Sequence, residues 1–188
     1  MPKLFLVRHA EPELTGVLLG RLDCALSGEG RRQAEAAMSS LKVAIVYASP
    51  LRRARDTARC VRAPVVVLNE LAEISLGDWD GKSWAEVERQ DPELARRKQQ
   101  DWFNVTPPGA EPWSAFESRV LRALERIRRG PFPAAVVAHI AVNAALAHQA
   151  AGGDPVAFRQ NYCEITEVEL KNEFGTDPED PRSDPAAR

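Results

Sequence analysis

Only three of the 188 residues are cysteine, and Cys24, Cys60 and Cys163 are widely spaced, odd in number and without paired-ligand spacing. A disulfide scaffold and a structural zinc site are both poor fits, and a reducing cytoplasm is the expected setting. An excess of one charge is also missing. The 25 basic and 27 acidic side chains leave a formal charge of −2, whereas nucleic-acid-binding domains carry a clear basic excess, so no nucleic-acid partner is expected. Long hydrophobic runs are scarce. The opening MPKLFLVRHA has about five apolar residues before Arg8-His9, too few for a signal peptide. The alanine-rich stretch 133–152 is interrupted by His139, Asn143 and His148 and reads as a strand followed by a helix rather than a membrane span. Lysine is sparse, 5 against 20 arginines, a bias that a GC-rich coding sequence accounts for. No internal repeat is visible.

Apolar residues at 44% and charged residues at 28% give a globular mixture long enough for one domain with a sizeable core. Short apolar runs at 4–7, 43–47, 65–68 and 134–138 read as buried strands. Amphipathic helical patterns lie between them, which predicts an α/β fold, a three-layer α/β/α sandwich with a mostly parallel sheet. Ser27 is expected to cap a helix running to about Leu41, and Ser49 to cap a second that opens with Pro50. A third is expected to start at a capping box, Ser114 with Glu117, and to stop at Arg128-Arg129-Gly130-Pro131. A fourth follows His139 and ends near Gly152-Gly153, and 165–170 alternates as a late edge strand would. The rhythm loosens at about 70–112, read as a partly helical cap insertion with all four tryptophans in or just after it. Residues 1–172 are thus expected to form a single domain, and 173–188, rich in proline, acids and small residues, a disordered tail.

In a parallel α/β sheet, functional groups gather beyond the carboxyl ends of the strands. Two of the three histidines, His9 and His139, follow directly on predicted strands. At the Ser49-Pro50 helix start, Arg52, Arg53 and Arg55 crowd a terminus whose dipole disfavours cations. A bound anion would relieve that conflict, while a solvated surface explains Arg59 and Arg62. Periodicity by itself leaves the histidines open between a site and two ordinary buried side chains.

The segments LVRHAEPELTG, GRLDCALSGEG, SPLRRARDTA, ELAEISLGDWDG, PPGAE and VAHIAVN follow one another in this order between residues 4 and 170. Taken together, they resemble the histidine phosphatase superfamily, the phosphoglycerate-mutase-like family. The resemblance implies that fold and places roles on matching positions. His9 would be the nucleophile that takes the phosphoryl group, Arg8 and Arg52 the phosphate-clamping arginines, His139 the second histidine, and Glu73 the proton donor. Glu70, Asp78 and Asp80 are read as turn or surface residues. Thr15, where mutases carry an asparagine, Gly20, and Ile140, where a glycine is common, would line the phosphate or substrate site. Arg21 is read either as contacting the distal part of the substrate or as a turn residue. Ala10 replaces the glycine usual after the nucleophile. No metal or other cofactor is implied, and the sequence offers no metal-ligand spacing.

Among the family's activities, the acidic run GDWDGKSWAEVERQDPE gives poor support to a mutase, which carries an extended basic region there. Phosphatase activity on a small-molecule phosphate ester is the expectation. A phosphoglycerate-type mutase and a non-catalytic phosphate-binding module stand as alternatives. GRLDCAL, GDWDG with Trp84, and PPGAE resemble the alpha-ribazole phosphatases of cobalamin biosynthesis. Tryptophans at the mouth would stack on a flat leaving group, while two or three of the four are expected to pin the insertion onto the sheet. Monomer and homodimer remain equally open.

Overall fold

Alternation along the first apolar run determines how the layers stack. In the computed structural model, which describes residues 1–170, β1 (Lys3–Arg8) turns Leu4 and Leu6 to one core cluster and Phe5 and Val7 to the other. Side chains of a strand alternate in direction, so a strand apolar on both sides must be covered on both faces. β4 (Ala134–Ala138) is entirely buried and behaves the same way.

The sheet has five strands in the order β3-β2-β4-β1-β5, with β2 spanning Ile45–Ala48, β3 Val65–Val67 and β5 Ile165–Glu169. The first four are parallel, and β5 runs antiparallel on the β1 edge, where a late alternating strand was expected. Helices α1 (Gly28–Met38) and α2 (Arg52–Ala58) cover the face holding Val7, Val46 and Val137. Helices α5 (Trp113–Arg128) and α6 (Ile140–Ala151) cover the opposite face. Phe116, Val120, Leu124 and Ile127 recur at helical spacing along α5 and are fully buried. Truncating one of them, such as Leu124→Ala, costs about 2–5 kcal/mol. Between β3 and α5 lie two 3-10 turns, Asn69–Leu71 and Gly77–Trp79, and two short helices, α3 (Trp84–Gln90) and α4 (Pro92–Gln100).

Two helix starts differ from the sequence reading. α2 begins at Arg52 with Leu51 as its cap residue. Ser49 lies two residues earlier, its Oγ accepting from the Leu51 amide at 3.2 Å and turning to a histidine instead. α5 begins at Trp113 after Pro112, with no side-chain cap, so Ser114 is already inside the helix; its carbonyl accepts from the Ser118 hydroxyl. Ser27 does cap α1, accepting from the Gly30 amide at 2.8 Å. The expected disordered tail lies outside the described residues.

Candidate active site

Parallel register brings the two histidines together. Arg8 of β1 stands opposite Ala138 of β4, so the residues that follow, His9 and His139, leave the sheet side by side at its carboxyl edge. The His9 amide donates to Ala138 O at 2.9 Å, and the two rings sit edge to face with centroids 5.1 Å apart. Ala48 of β2 pairs with Val137, which delivers Ser49 to the same edge.

The hydrogen bonds fix both rings. His9 Nδ1 lies 2.7 Å from Ala10 O and must carry the proton to bond it, which leaves Nε2 unprotonated. Arg53 Nε–H points at that nitrogen from 3.3 Å. Ala10 is itself held, its amide donating to Thr57 Oγ1 at 3.0 Å. His139 Nε2 is 2.7 Å from Ser49 Oγ. That oxygen also accepts from the Leu51 amide, and the other ring nitrogen of His139, Nδ1, is a buried atom with no protein partner. Arg8 donates from Nη1 to Gln160 O at 2.7 Å and lies 4.3 Å over the Tyr162 ring, while its Nε is buried and also unpartnered. Burial, with Arg53 and Arg8 nearby, lowers His9 to about 3 despite the Ala10 bond. Burial, with the His9 ring and Arg53 adding to it, also holds His139 far below the usual histidine range. Both rings are therefore neutral near pH 7.

Glu73 lines the same cavity as His9. Burial pushes its carboxyl up, outweighing the Ile74 amide, which donates to Oε1 at 2.9 Å, then Arg53 and the Ala141 amide in the first turn of α6. A neutral base and a carboxyl biased toward its protonated form thus face one cavity of about 560 Å³ lined by Arg8, His9, Arg53 and Glu73. Such opposed shifts at one site favour acid–base chemistry.

Arg52 is not in this group. Its side chain is 58% exposed and reaches Asp56 at 3.5 Å, one helical turn on. The place expected for it belongs to Arg53, 1% exposed, whose Nη1 and Nη2 donate to Leu22 O at 2.6 Å and Gly20 O at 3.0 Å. Helical geometry is the reason: Arg53 shares the buried face with Ala54, Thr57 and Ala58, and Arg52 shares the solvent face with Asp56. Thr15, Gly20 and Ile140 line the cavity. Gly20 does so with φ +45, and a Cβ there would collide with the Asp80 carboxylate. Arg21 is absent from the lining, and its Nε donates to the carbonyl of Glu73 at 2.6 Å. Asp80 is a turn residue, as read, accepting from the Leu76 amide at 3.0 Å.

Beyond the polar ring the wall is mostly apolar. Trp102 and Trp113 line it, Phe103 packs tilted against Trp113 with ring centroids 4.3 Å apart, and the loop before β5 adds Val156, Phe158 and Tyr162. Trp79 and Trp84 instead pack edge to face at 5.7 Å, with Trp79 buried in the core. Lys98, itself buried, holds the loop behind Trp102 by donating to the carbonyls of Trp102 and Val105. Among the described residues, no group of three or more His, Cys, Asp or Glu side chains is placed to hold a metal ion, and no helix is long and apolar enough to cross a membrane.

Comparison with known proteins fits this geometry. The model of the histidine phosphatase superfamily (branch 1) matches residues 4–176. The chain belongs to that superfamily. Within it, this histidine phosphatase chain is 34% identical over 134 residues to the adenosylcobalamin/alpha-ribazole phosphatase of Salmonella typhimurium, covering 66% of each protein. It is 31% identical over 188 residues to phosphoserine phosphatase 1 of Hydrogenobacter thermophilus, covering 94% of this chain and 83% of that one. Among solved structures, the alpha-ribazole phosphatase of Shigella flexneri superposes with a TM-score of 0.79 at 25% identity, over 90% of this chain and 91% of that one. The chain spans only 37% of the length of the Mycobacterium tuberculosis bifunctional protein it matches at 40% identity.

Proposed function

We propose that this histidine phosphatase chain hydrolyses small phosphate monoesters through a phosphohistidine formed on His9. The observation that carries the reading is the state of the His9 ring, neutral, proton on Nδ1, with Nε2 unprotonated and accepting from the Arg53 guanidinium. A phosphoryl group at that nitrogen would find Arg8 Nε and His139 Nδ1, both buried and without protein partners, and Arg53 around its oxygens. The Nε2 lone pair forms the N–P bond as the ester P–O bond breaks, and the Glu73 proton passes to the leaving oxygen. Glu73, now a carboxylate, takes a proton from water, the water oxygen attacks phosphorus, and the N–P bond returns its electrons to Nε2. No step calls on a metal ion. We take residues 1–172 as one domain with a cap at about 70–112, working in the cytoplasm that the cysteine usage favours.

The wall supports a bulky, flat, mainly apolar leaving group, such as that of alpha-ribazole phosphate, over phosphoserine. An acid facing its ammonium group would favour an amino-acid ester, and among the described residues the one carboxylate in the lining is Glu73. A mutase is less well supported. Among the described residues, the lining adds to Arg8 and Arg53 a single cation, Arg159, whose Nη1 donates to Val156 O and Phe158 O. The test compares kcat/KM for alpha-ribazole phosphate, phosphoserine and 3-phosphoglycerate. The first is expected to lead by at least about tenfold, and a lead for phosphoserine would reverse the substrate assignment.

A further inference from the structure

Glu73 projects into the cavity from a segment with no regular structure of its own, between the turns at Asn69–Leu71 and Gly77–Trp79. A general acid has to stand within hydrogen-bond reach of the atom it protonates, and small misplacements are costly. Something outside the segment must therefore hold it. We propose that Arg119, locked by Glu111 and assisted by Arg21, is a positioning residue that fixes the backbone of Glu73 for proton transfer. This inference rests on the proton-donor role proposed for Glu73.

Arg119 is 8% exposed and spends its donors on two things only. Nε and Nη2 grip the two oxygens of Glu111 at 2.7 and 2.8 Å, a side-on bidentate pair. Nη1 donates to Glu70 O and Ala72 O, both at 2.6 Å, and Nη2 also to Glu73 O at 3.1 Å. Three carbonyls within four residues thus converge on one planar cation. Arg21 Nε reaches the same Glu73 carbonyl at 2.6 Å and its Nη2 lies 3.4 Å from Glu111. Neither Arg119 nor Glu111 lines the cavity, and the hydrogen bonds that Arg119 makes beyond Glu111 all go to the Glu73 segment.

The loop that carries Glu111 is itself clamped to the far side of the segment. The Glu111 amide donates to Ser75 O at 3.1 Å and the Asp78 amide to Pro108 O at 3.0 Å. Gly77, with φ +59, permits the approach, since a Cβ there would lie 2.2 Å from Pro108 O. Residues 70–78 are therefore braced by two guanidinium groups and one loop. A lysine at 119 would keep the charge but could not hold Glu111 and three carbonyls in one plane.

A structural role alone would lower activity on every substrate together; a positioning role has a different signature. An activated ester such as p-nitrophenyl phosphate needs little protonation of its leaving group, whereas phenyl and alkyl phosphates need it. The experiment measures kcat/KM, which reports the leaving-group step and not the later attack of water, along that series for the full chain and for Glu111→Gln, Arg119→Lys and Glu73→Gln, with the inhibition constant of inorganic phosphate as a check on the clamp around His9. Glu111→Gln and Arg119→Lys are expected to lose about 10–10² on alkyl phosphates and under about threefold on p-nitrophenyl phosphate, with phosphate inhibition unchanged. Glu73→Gln is expected to show the same selectivity in stronger form. Selective loss in Glu73→Gln with uniform or no loss in Glu111→Gln overturns the positioning role and leaves the proton donor standing. Uniform loss in Glu73→Gln overturns the proton donor itself, and the positioning role with it. Should Arg119→Lys fail to fold, Glu111→Gln, which keeps the shape of the pair, decides the matter.

Discussion

Adjacent arginines in one helix should behave oppositely. Arg53 has its guanidinium 3.3 Å from His9 Nε2, with two of its nitrogens bound to Leu22 O and Gly20 O, so it is held where charge on a transferring phosphoryl group would develop. Removing one fixed donor from such a position typically costs about 10²–10³ in kcat, roughly 2.7–4 kcal/mol. Arg53→Met should therefore lose at least that much in kcat/KM for p-nitrophenyl phosphate. Arg53→Lys, which keeps the charge without the fork, should recover only part of it. Arg52, 58% exposed, makes one surface ion pair with Asp56 at 3.5 Å, worth about 0.3–0.5 kcal/mol. Arg52→Ala should keep activity within about twofold and stability within about 0.5 kcal/mol. Steady-state kinetics and urea unfolding on the three variants supply the numbers. Comparable losses at positions 52 and 53, or an unimpaired Arg53→Lys, would refute the reasoning from helix geometry.

With the His9 pKa at about 3, the ring is neutral across the working range, so kcat/KM should show no His9 inflection near pH 6.5. It should instead fall on the alkaline side as Glu73, its pKa raised by burial, loses its proton, and Glu73→Gln should abolish that limb in a pH profile. The same shift affects stability. The unfolded chain binds a proton at His9 below its ordinary pKa of 6.5 and the folded chain does not until about 3, so stability is lost as pH falls through that window. Between pH 7 and 5 His9 alone should withdraw about 2 kcal/mol, and His9→Asn should flatten the urea-measured slope by that amount; an unchanged slope would contradict the assignment. Trp102→Ala, which removes an aromatic wall without touching the polar ring, should raise KM for aryl phosphates by about fivefold or more and leave KM for small alkyl phosphates within about twofold.

Much of this arrangement can be read from residue order. A histidine directly after each of two parallel strands stays paired with its counterpart whenever the strands run in register, which is why His9 and His139 were legible as a couple. The two arginines at 52 and 53 were not resolved by motif spacing. The signal available was charge: Arg52 with Asp56 at i, i+4 marks a solvent face, and Arg53 with Ala54, Thr57 and Ala58 marks the buried one. Arg119 carried a similar clue, since its spacing to Phe116 and Ala123 puts it on the core face of α5. A buried arginine needs several partners, and apart from Glu111 those partners are carbonyls 46–49 residues earlier in the chain, which no local pattern discloses. Tyr162 and Phe158 escaped for the same reason, coming from an irregular loop without periodicity. Ser49 and Ser114 looked like caps because serine is a common cap. Here a histidine ring captured the first hydroxyl, and Pro112 moved the helix start ahead of the second.

The central claim is chemical, that phosphorus is carried on His9. The direct measurement is the intact mass of the chain quenched into alkali during turnover of p-nitrophenyl phosphate with chelator present, followed by peptide mapping. The account predicts an acid-labile phosphoryl adduct confined to the peptide containing His9, lost in His9→Asn together with turnover. Turnover that continues in His9→Asn, or an adduct mapped to another residue, would contradict it.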